Sequence, residues 1–230
     1  MTGTLYVVNP NSSAAVTAGI DAGLSGLRRA GGPPILCRTL AEGPPGIESQ
    51  LQADGVIAPL IRHCLALEAG AAGFVIACFG DPGLHALRDA TDLPVLGIAE
   101  CAVLTAMSMG QRFGVISILA PSVPRHIRYF GAMGVLDRLA GDLPLGLGVA
   151  DLAVPGRTLG RMVETGRALR DAHRADVLIM GCAGMARYRE TLETETGLPV
   201  VEPSQAAVAM ALGQIALGWR RWPQGKGERE

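Results

Sequence analysis

Two cysteines of this chain stand in surroundings that repeat, and a repeated thiol is a candidate pair of proton carriers. Cys78 ends the apolar run Phe74-Val75-Ile76-Ala77 and precedes Phe79-Gly80-Asp81-Pro82-Gly83; Cys182 ends Val177-Leu178-Ile179-Met180-Gly181 and precedes Ala183-Gly184-Met185. Short apolar runs closed by glycine or proline read as buried strands, so each half of the chain delivers one thiol to a strand end. The echo continues downstream: Pro94-Val95-Leu96-Gly97 follows Cys78 by 16 residues (94 − 78), and Pro199-Val200-Val201-Glu202 follows Cys182 by 17 (199 − 182). The period of 104 residues (182 − 78) exceeds that of stacked solenoid repeats. The reading is two facing α/β lobes with one thiol on either side of a shared site.

An ordinary thiol titrates near pH 8.5 (about), and a helix N-terminus or a nearby cation lowers that value. Cys78 and Cys182 each precede a segment expected to be helical, whose unpaired N–H groups favour thiolate and can hold an oxyanion. One thiolate can take a proton from a carbon acid while the opposite thiol returns one to the other face. That inverts a stereocentre with no cofactor and no metal. A carbon between a carbonyl and a ring nitrogen, as in a hydantoin, passes its charge to the carbonyl oxygen, where N–H groups at Phe79-Gly80 or Ala183-Gly184 would stabilise it. Asn9 and Asn11 offer uncharged donors and acceptors suited to ureido or amide groups, and Ser117 offers the same from the second lobe.

The elements that must position these residues follow in order. Leu5 to Val8 reads as a first strand, and Asn9-Pro10-Asn11-Ser12-Ser13 as a loop that caps a helix over 14–29. A second strand is expected from Ile35 to Leu40, then helical character from Glu48 that Pro59 interrupts or restarts. Phe113 to Leu119 opens the second half as Leu5 to Val8 opens the first. Helices are expected from Arg125 to Met133, over 158–173 and from Ala206 to Trp219, and the Gly- and Pro-rich stretch 141–157 as a mobile loop holding a short strand. Alternating strands and helices imply parallel sheets covered on both faces. The expected lobes are 1–98 with 205–222, and 99–204, followed by a disordered tail over 223–230. Ligands of such sheets sit beyond the strands' carboxyl ends, where Asn9, Asn11, Cys78, Ser117 and Cys182 fall.

Composition narrows the partners. A formal net charge of −1 gives no electrostatic case for nucleic acid or an anionic membrane. The chain enters a strand almost at once and has no run of eighteen apolar residues, so the expectation is a soluble, cytoplasmic protein. Five cysteines without framework or CxxC spacing are expected to be reduced, and Cys37, Cys64 and Cys101 read as core residues. The histidines, at 63, 85, 126 and 173, share no metal-ligand spacing. Asn9 and Asn11 could simply form a turn and cap a helix, and Ser117 could be an ordinary strand-end hydroxyl; the sequence leaves both open. Asp81 beside Pro82 reads as a turn-fixing residue and Glu202 as structural. Two further functions stand beside racemisation: attack of one cysteine on an acyl carbon, and a ligand-binding protein without turnover.

The Asn9-Pro10-Asn11-Ser12 loop, Ala77-Cys78-Phe79-Gly80-Asp81-Pro82-Gly83-Leu84, Gly181-Cys182-Ala183-Gly184-Met185 and Pro199-Val200-Val201-Glu202-Pro203 together resemble the hydantoin racemase branch of the aspartate/glutamate racemase superfamily. The resemblance runs to about Trp219. It implies two pseudo-symmetric flavodoxin-like lobes, a cofactor-independent two-base racemase acting on 5-substituted hydantoins or allantoin, and a homo-oligomer. Cys78 and Cys182 would be the acid/base pair, with Asn11 and neighbouring backbone as substrate binders. Ser117-Ile118 stands where this branch often carries threonines. Relatives that decarboxylate arylmalonates keep only the second cysteine.

Overall fold

In a computed structural model the chain is described over residues 3–153 and 155–220; the expected tail and the last two residues of the expected first lobe lie outside the described residues. The first half runs β1 (Thr4–Asn9), α1 (Ala14–Gly23), β2 (Ile35–Thr39), α2 (Gln50–Gly55), α3 (Ile57–Leu67), β3 (Ala71–Ile76), α4 (Leu84–Ala90), β4 (Val95–Gly97) and α5 (Ile98–Met109). The second runs β5 (Phe113–Ser117), α6 (Ser122–Ala132), β6 (Leu139–Pro144), α7 (Pro155–Asp171), β7 (Val177–Met180), α8 (Arg189–Thr196), β8 (Val200–Val201) and α9 (Pro203–Ala216).

The strands form two four-stranded sheets, β2-β1-β3-β4 and β6-β5-β7-β8, with every pairing parallel. The two orders are the same, and each is the flavodoxin-like order short of its last strand. Register makes the duplication specific: Val8 pairs with Ile76 as Ile116 pairs with Met180. Asn9 and Ser117, one residue further on, are therefore equivalent positions.

Alternation along the strands divides the core. Val7, Val75, Val115, Val177 and Ile179 face a shared central layer with Leu96, Phe113, Ala102 and Ala211, whereas Val8, Phe74 and Ile76 pack outward against Leu60, Leu84 and Leu87. Ile116, Leu178 and Met180 do the same in the second sheet, against Met162, Leu169 and Leu192. Helices α5 and α9 fill the middle. Each packs on the other; α5 also lies on β5 and β7, and α9 on β3 and β4, so each half's last helix reaches across to the opposite sheet.

Local chemistry accounts for the boundaries. Ser13 caps α1, accepting from the Val16 amide at 3.3 Å, and Ser49 with Gln52 forms a reciprocal capping box on α2. Pro59 falls in the first turn of α3, where its missing N–H removes no helical bond. Pro203 opens α9 at a position that favours proline, earlier than the expected Ala206. The short strand expected inside 141–157 lies at its start and begins earlier, at 139–144. Its Gly141 and Pro144 disguise it, and both are tolerated because β6 is an edge strand. Among the described residues no helix is long and apolar enough to cross a membrane.

Candidate active site

In each sheet the chain leaves the first strand toward one neighbour and returns to pair on its other side, so the crevice at the carboxyl ends opens between first and third strands. Cys78 lies two residues beyond β3, and Cys182 two beyond β7. The two crevices face each other, and both cysteines line a single narrow cavity of about 30 Å3, room for about one water. Asn11, Phe79, Ile118 and Ala183 line it too, joined by Ile47, Ser122, Arg125, His126 and Val149. Two clefts open from it. One, of about 270 Å3, borders Cys78 and Gly80; the other, of about 460 Å3, borders Gly184 and shares Val16 and Val149 with the cavity.

The turns that present the thiols differ. After Cys78 the backbone makes a turn closed by the Asp81 amide donating to the Cys78 carbonyl at 3.0 Å, with positive φ at Gly80 (104°), Asp81 (50°) and Gly83 (76°). Helix α4 starts only at Leu84, so Cys78 does not precede a helix directly, contrary to the sequence expectation. Cys182 does sit at a helical start, the N-cap of a 3-10 segment, Ala183–Tyr188. Gly181 must be glycine there, because a Cβ would stand 2.7 Å from the Ile116 carbonyl oxygen.

Nor are the thiols shifted downward. Burial pushes Cys78 up to about 12; Cys182 and Asp81 push the same way, and the Arg125 charge pulls back. Burial pushes Cys182 up to about 11, with the Gly184 amide opposing and Glu202 and Glu48 adding to the rise. Desolvation outweighs the local dipoles that sequence reasoning invoked, because the thiols lie inside the interface between the sheets.

Each cysteine loop is backed by a buried carboxylate that caps a crossing helix. Asp81 accepts from the Ala99 and Glu100 amides of α5 at 2.9 and 2.8 Å and from the Tyr129 hydroxyl at 2.6 Å. Glu202, the N-cap of α9, accepts from the Ser204 and Gln205 amides at 3.2 and 2.6 Å. The repeat places Gly97 opposite Glu202, and the reason is geometric: a Cβ on Gly97 would stand 2.2 Å from the Asp81 carboxyl carbon. The first half brings its capping carboxylate in from the cysteine turn, into the space a side chain at position 97 would fill. Burial pushes Asp81 up to about 6 and Glu202 up to about 7, against the pull of these donors.

Asn9 and Ser117 sit one layer behind the cavity. Asn9 Nδ2 donates to Asn11 Oδ1 at 2.9 Å and to Thr17 Oγ1 at 3.0 Å, and its Oδ1 accepts from the Asn11 amide at 3.2 Å, fixing the residue that does line the cavity. Ser117 is fully buried, and its hydroxyl donates to Asp142 Oδ1. His126 Nδ1 donates to Asp142 Oδ2 at 2.8 Å and lies 3.1 Å from Ser117 Oγ, leaving Nε2 as the ring nitrogen outside that cluster. The equivalence of Asn9 and Ser117 thus extends to what each does in the structure: both hold a neighbour that reaches the cavity.

Sequence reasoning missed Arg125, His126, Ser122, Ile47 and Val149. A signal existed for three of them: Ala120-Pro121-Ser122 stands where the first half has its Asn-Pro-Asn loop, and Arg125 and His126 follow it. Val149 and Ile47 come from segments whose approach depends on tertiary contact, marked by the Val149 amide donating to Glu48 Oε1 at 2.8 Å. Among the described residues no three His, Cys, Asp or Glu side chains gather where a metal ion could be held.

Comparison with known proteins agrees with this fold. The chain is 34% identical over 220 residues to a hydantoin racemase of Pseudomonas sp. (strain NS671), covering 93% of this chain and 86% of that one. Its fold superposes on allantoin racemase from Klebsiella pneumoniae with a TM-score of 0.89 at 28% identity, covering 99% of this chain and 95% of that one. Allantoin racemase from Pseudomonas fluorescens gives 0.90 at 25% identity, with 99% of each chain covered. Residues 5–211 match the family described as Asp/Glu/hydantoin racemase, and the chain belongs to this family of racemases.

Proposed function

We propose that this racemase inverts the C5 stereocentre of a 5-substituted hydantoin or of allantoin, with Cys78 and Cys182 transferring protons on opposite faces of the ring. The observation that carries the reading is that two thiols at equivalent positions of duplicated sheets line one cavity. A thiolate on one side removes the C5 proton; the charge moves onto the adjacent carbonyl oxygen; the thiol on the other side delivers a proton to the opposite face. Backbone N–H groups of Phe79, Gly80, Ala183 and Gly184 are the candidate stabilisers of that oxygen, and Asn11 suits the ring amide. Asn9 and Ser117 act as positioning residues, through Asn11 and His126. Because the cavity between the thiols holds about one water, substrate entry requires the two lobes to part locally.

His126 and Asp142 beside Cys78 also present the parts of a Cys-His-Asp nucleophile system. The contact that system needs is not made. The Cys78 thiol donates to the Phe79 carbonyl at 3.9 Å, and among the described residues His126 bonds Asp142 and Ser117 through Nδ1 while its Nε2 makes no hydrogen bond to Cys78. A covalent acyl adduct under turnover would revive that reading. The two-base reading predicts that Cys78→Ser and Cys182→Ser each lower racemisation by about 10^2-fold or more, the scale of a lost general acid or base. Each variant should retain exchange of the C5 proton from one enantiomer only; normal racemisation by both would sink it.

A further inference from the structure

The cleft on the Cys78 side is cationic, and the reaction proposed above makes no use of that charge. Arg125, on α6, lines both this cleft and the thiol cavity, and Arg128, one helical turn on, lines the cleft. Arg125 Nη2 donates to Ser122 Oγ at 3.1 Å and its Nε to the Pro121 carbonyl at 3.4 Å; Arg128 Nη2 donates to Gln50 Oε1 at 2.7 Å. All three acceptors are uncharged, and among the described residues neither guanidinium is in a salt bridge. Asp54 is the acid whose field Arg125 feels, and its carboxylate accepts from Gln50 Nε2 at 2.7 Å. Arg125 is half-buried, with a like charge beside it, an arrangement that an incoming anion relieves.

The duplicated cleft on the Cys182 side supplies an internal comparison. Built from α1, the segment after β6 and the turn after Cys182, it is walled by Val16, Pro45, Val149 and Leu152, and its one cation among the described residues, Arg187, exposed as Arg128 is, lies over the Tyr188 ring at 5.9 Å, with no half-buried partner such as Arg125 lining that cleft. Equivalent places in the fold thus carry different chemistry. A ligand seated between the thiols meets an apolar wall on one side and two guanidiniums on the other.

We propose that the Cys78-side cleft is a subsite for an anionic C5 substituent, whose carboxylate is held by Arg125 and Arg128, so that hydantoins of acidic amino acids are the preferred substrate class. This rests on the racemase reading of the two thiols. A guanidinium pairs with a carboxylate through charge-assisted, often bidentate bonds that an amide of the same shape does not reproduce. The cleft's volume, about 270 Å3, lies near the lower end for small-molecule pockets and suits a short arm.

The test compares 5-(2-carboxyethyl)hydantoin with its isosteric neutral amide, 5-(2-carbamoylethyl)hydantoin, in titration calorimetry and in racemisation. The wild type is expected to prefer the carboxylate by about tenfold or more in Kd and in kcat/KM, the scale of a hydrogen bond to a charged group. Arg125→Met should erase the ratio, Arg128→Gln should reduce it, and Arg125→Lys should restore part of it. Racemisation of both compounds with no charge preference would overturn the subsite and leave the racemase reading standing. A tenfold preference in Kd without any racemisation would support the subsite and overturn the reading it rests on. Binding of neither compound would overturn the subsite alone, the racemase reading being decided by exchange with allantoin and the other hydantoins.

Discussion

Because burial holds Cys78 and Cys182 far above an ordinary thiol, the resting protein should keep both protons at neutral pH. Alkylation by iodoacetamide, read at each cysteine by peptide mass spectrometry, tests this without a substrate, since only thiolate reacts at a useful rate. At pH 8 a thiol with a pKa of about 11 is ionised in about one molecule per thousand, against about one in four for an ordinary thiol near 8.5. Cys182 should therefore react about 250-fold more slowly than a free thiol at that pH, before any steric protection. Cys78, at about 12, should be about tenfold slower still. The sign is fixed by the direction of the shift: a raised thiol gains thiolate only as pH rises, so both rates should climb about tenfold per pH unit from 7 to 9.5 without levelling. Steric protection lowers the rate but leaves that slope unchanged. Arg125→Met should slow alkylation of Cys78 by removing a charge that favours its ionisation. Levelling near pH 8.5 at either cysteine would refute the reasoning that burial dominates these sites.

Two further outcomes follow from the buried caps. Asp81 and Glu202 are raised in the folded protein to about 6 and about 7, so between about pH 4 and 7 the native state binds more protons than the unfolded chain and stability falls as pH rises. Thermal unfolding across this window should show Tm increasing as pH drops from 7.5 to 5.5, with a shallower slope in Glu202→Gln; a flat profile in the wild type would contradict the assignment. Gly97→Ala forces a methyl to within 2.2 Å of the Asp81 carboxyl, displacing the cap of α5 and the turn that carries Cys78. Urea unfolding should register a loss of about 1–3 kcal/mol, the range for overpacked sites, together with reduced turnover. Unchanged stability would mean that Asp81 has room the geometry does not show.

The repeated motif was readable because it is local: four or five apolar residues, a cysteine and a turn signal suffice to identify a buried parallel strand and what hangs from its end. Cys78 and Cys182 belong to that class, and so does the duplication. Strand β6 was expected somewhere in 141–157 but its bounds were not legible, since an edge strand tolerates the Gly141 and Pro144 that argue against a central one. The thiols' ionisation was misjudged for a similar reason. A helix start can be guessed from neighbours in sequence, whereas desolvation is set by the opposite sheet and by α5 and α9. Arg125 and His126 were passed over because an arginine or histidine on an amphipathic helix carries no mark of which way it faces until the fold places α6 against the Cys78 turn. Position 97 shows the same limit from the other side. The repeat aligned Gly97 with Glu202 and suggested no shared role, yet Asp81 restores the carboxylate from another point of the chain.

The central claim is proton transfer at one carbon by two thiols, and proton NMR in D2O tests it most directly. Enantiopure allantoin and a set of enantiopure 5-substituted hydantoins would be followed for loss of the C5 proton alongside polarimetry. The account predicts exchange coupled to inversion above the spontaneous rate for at least one of them, lost in Cys78→Ser and Cys182→Ser. Absence of enzyme-dependent exchange with every one of these compounds, or exchange and inversion that survive both substitutions, would contradict it.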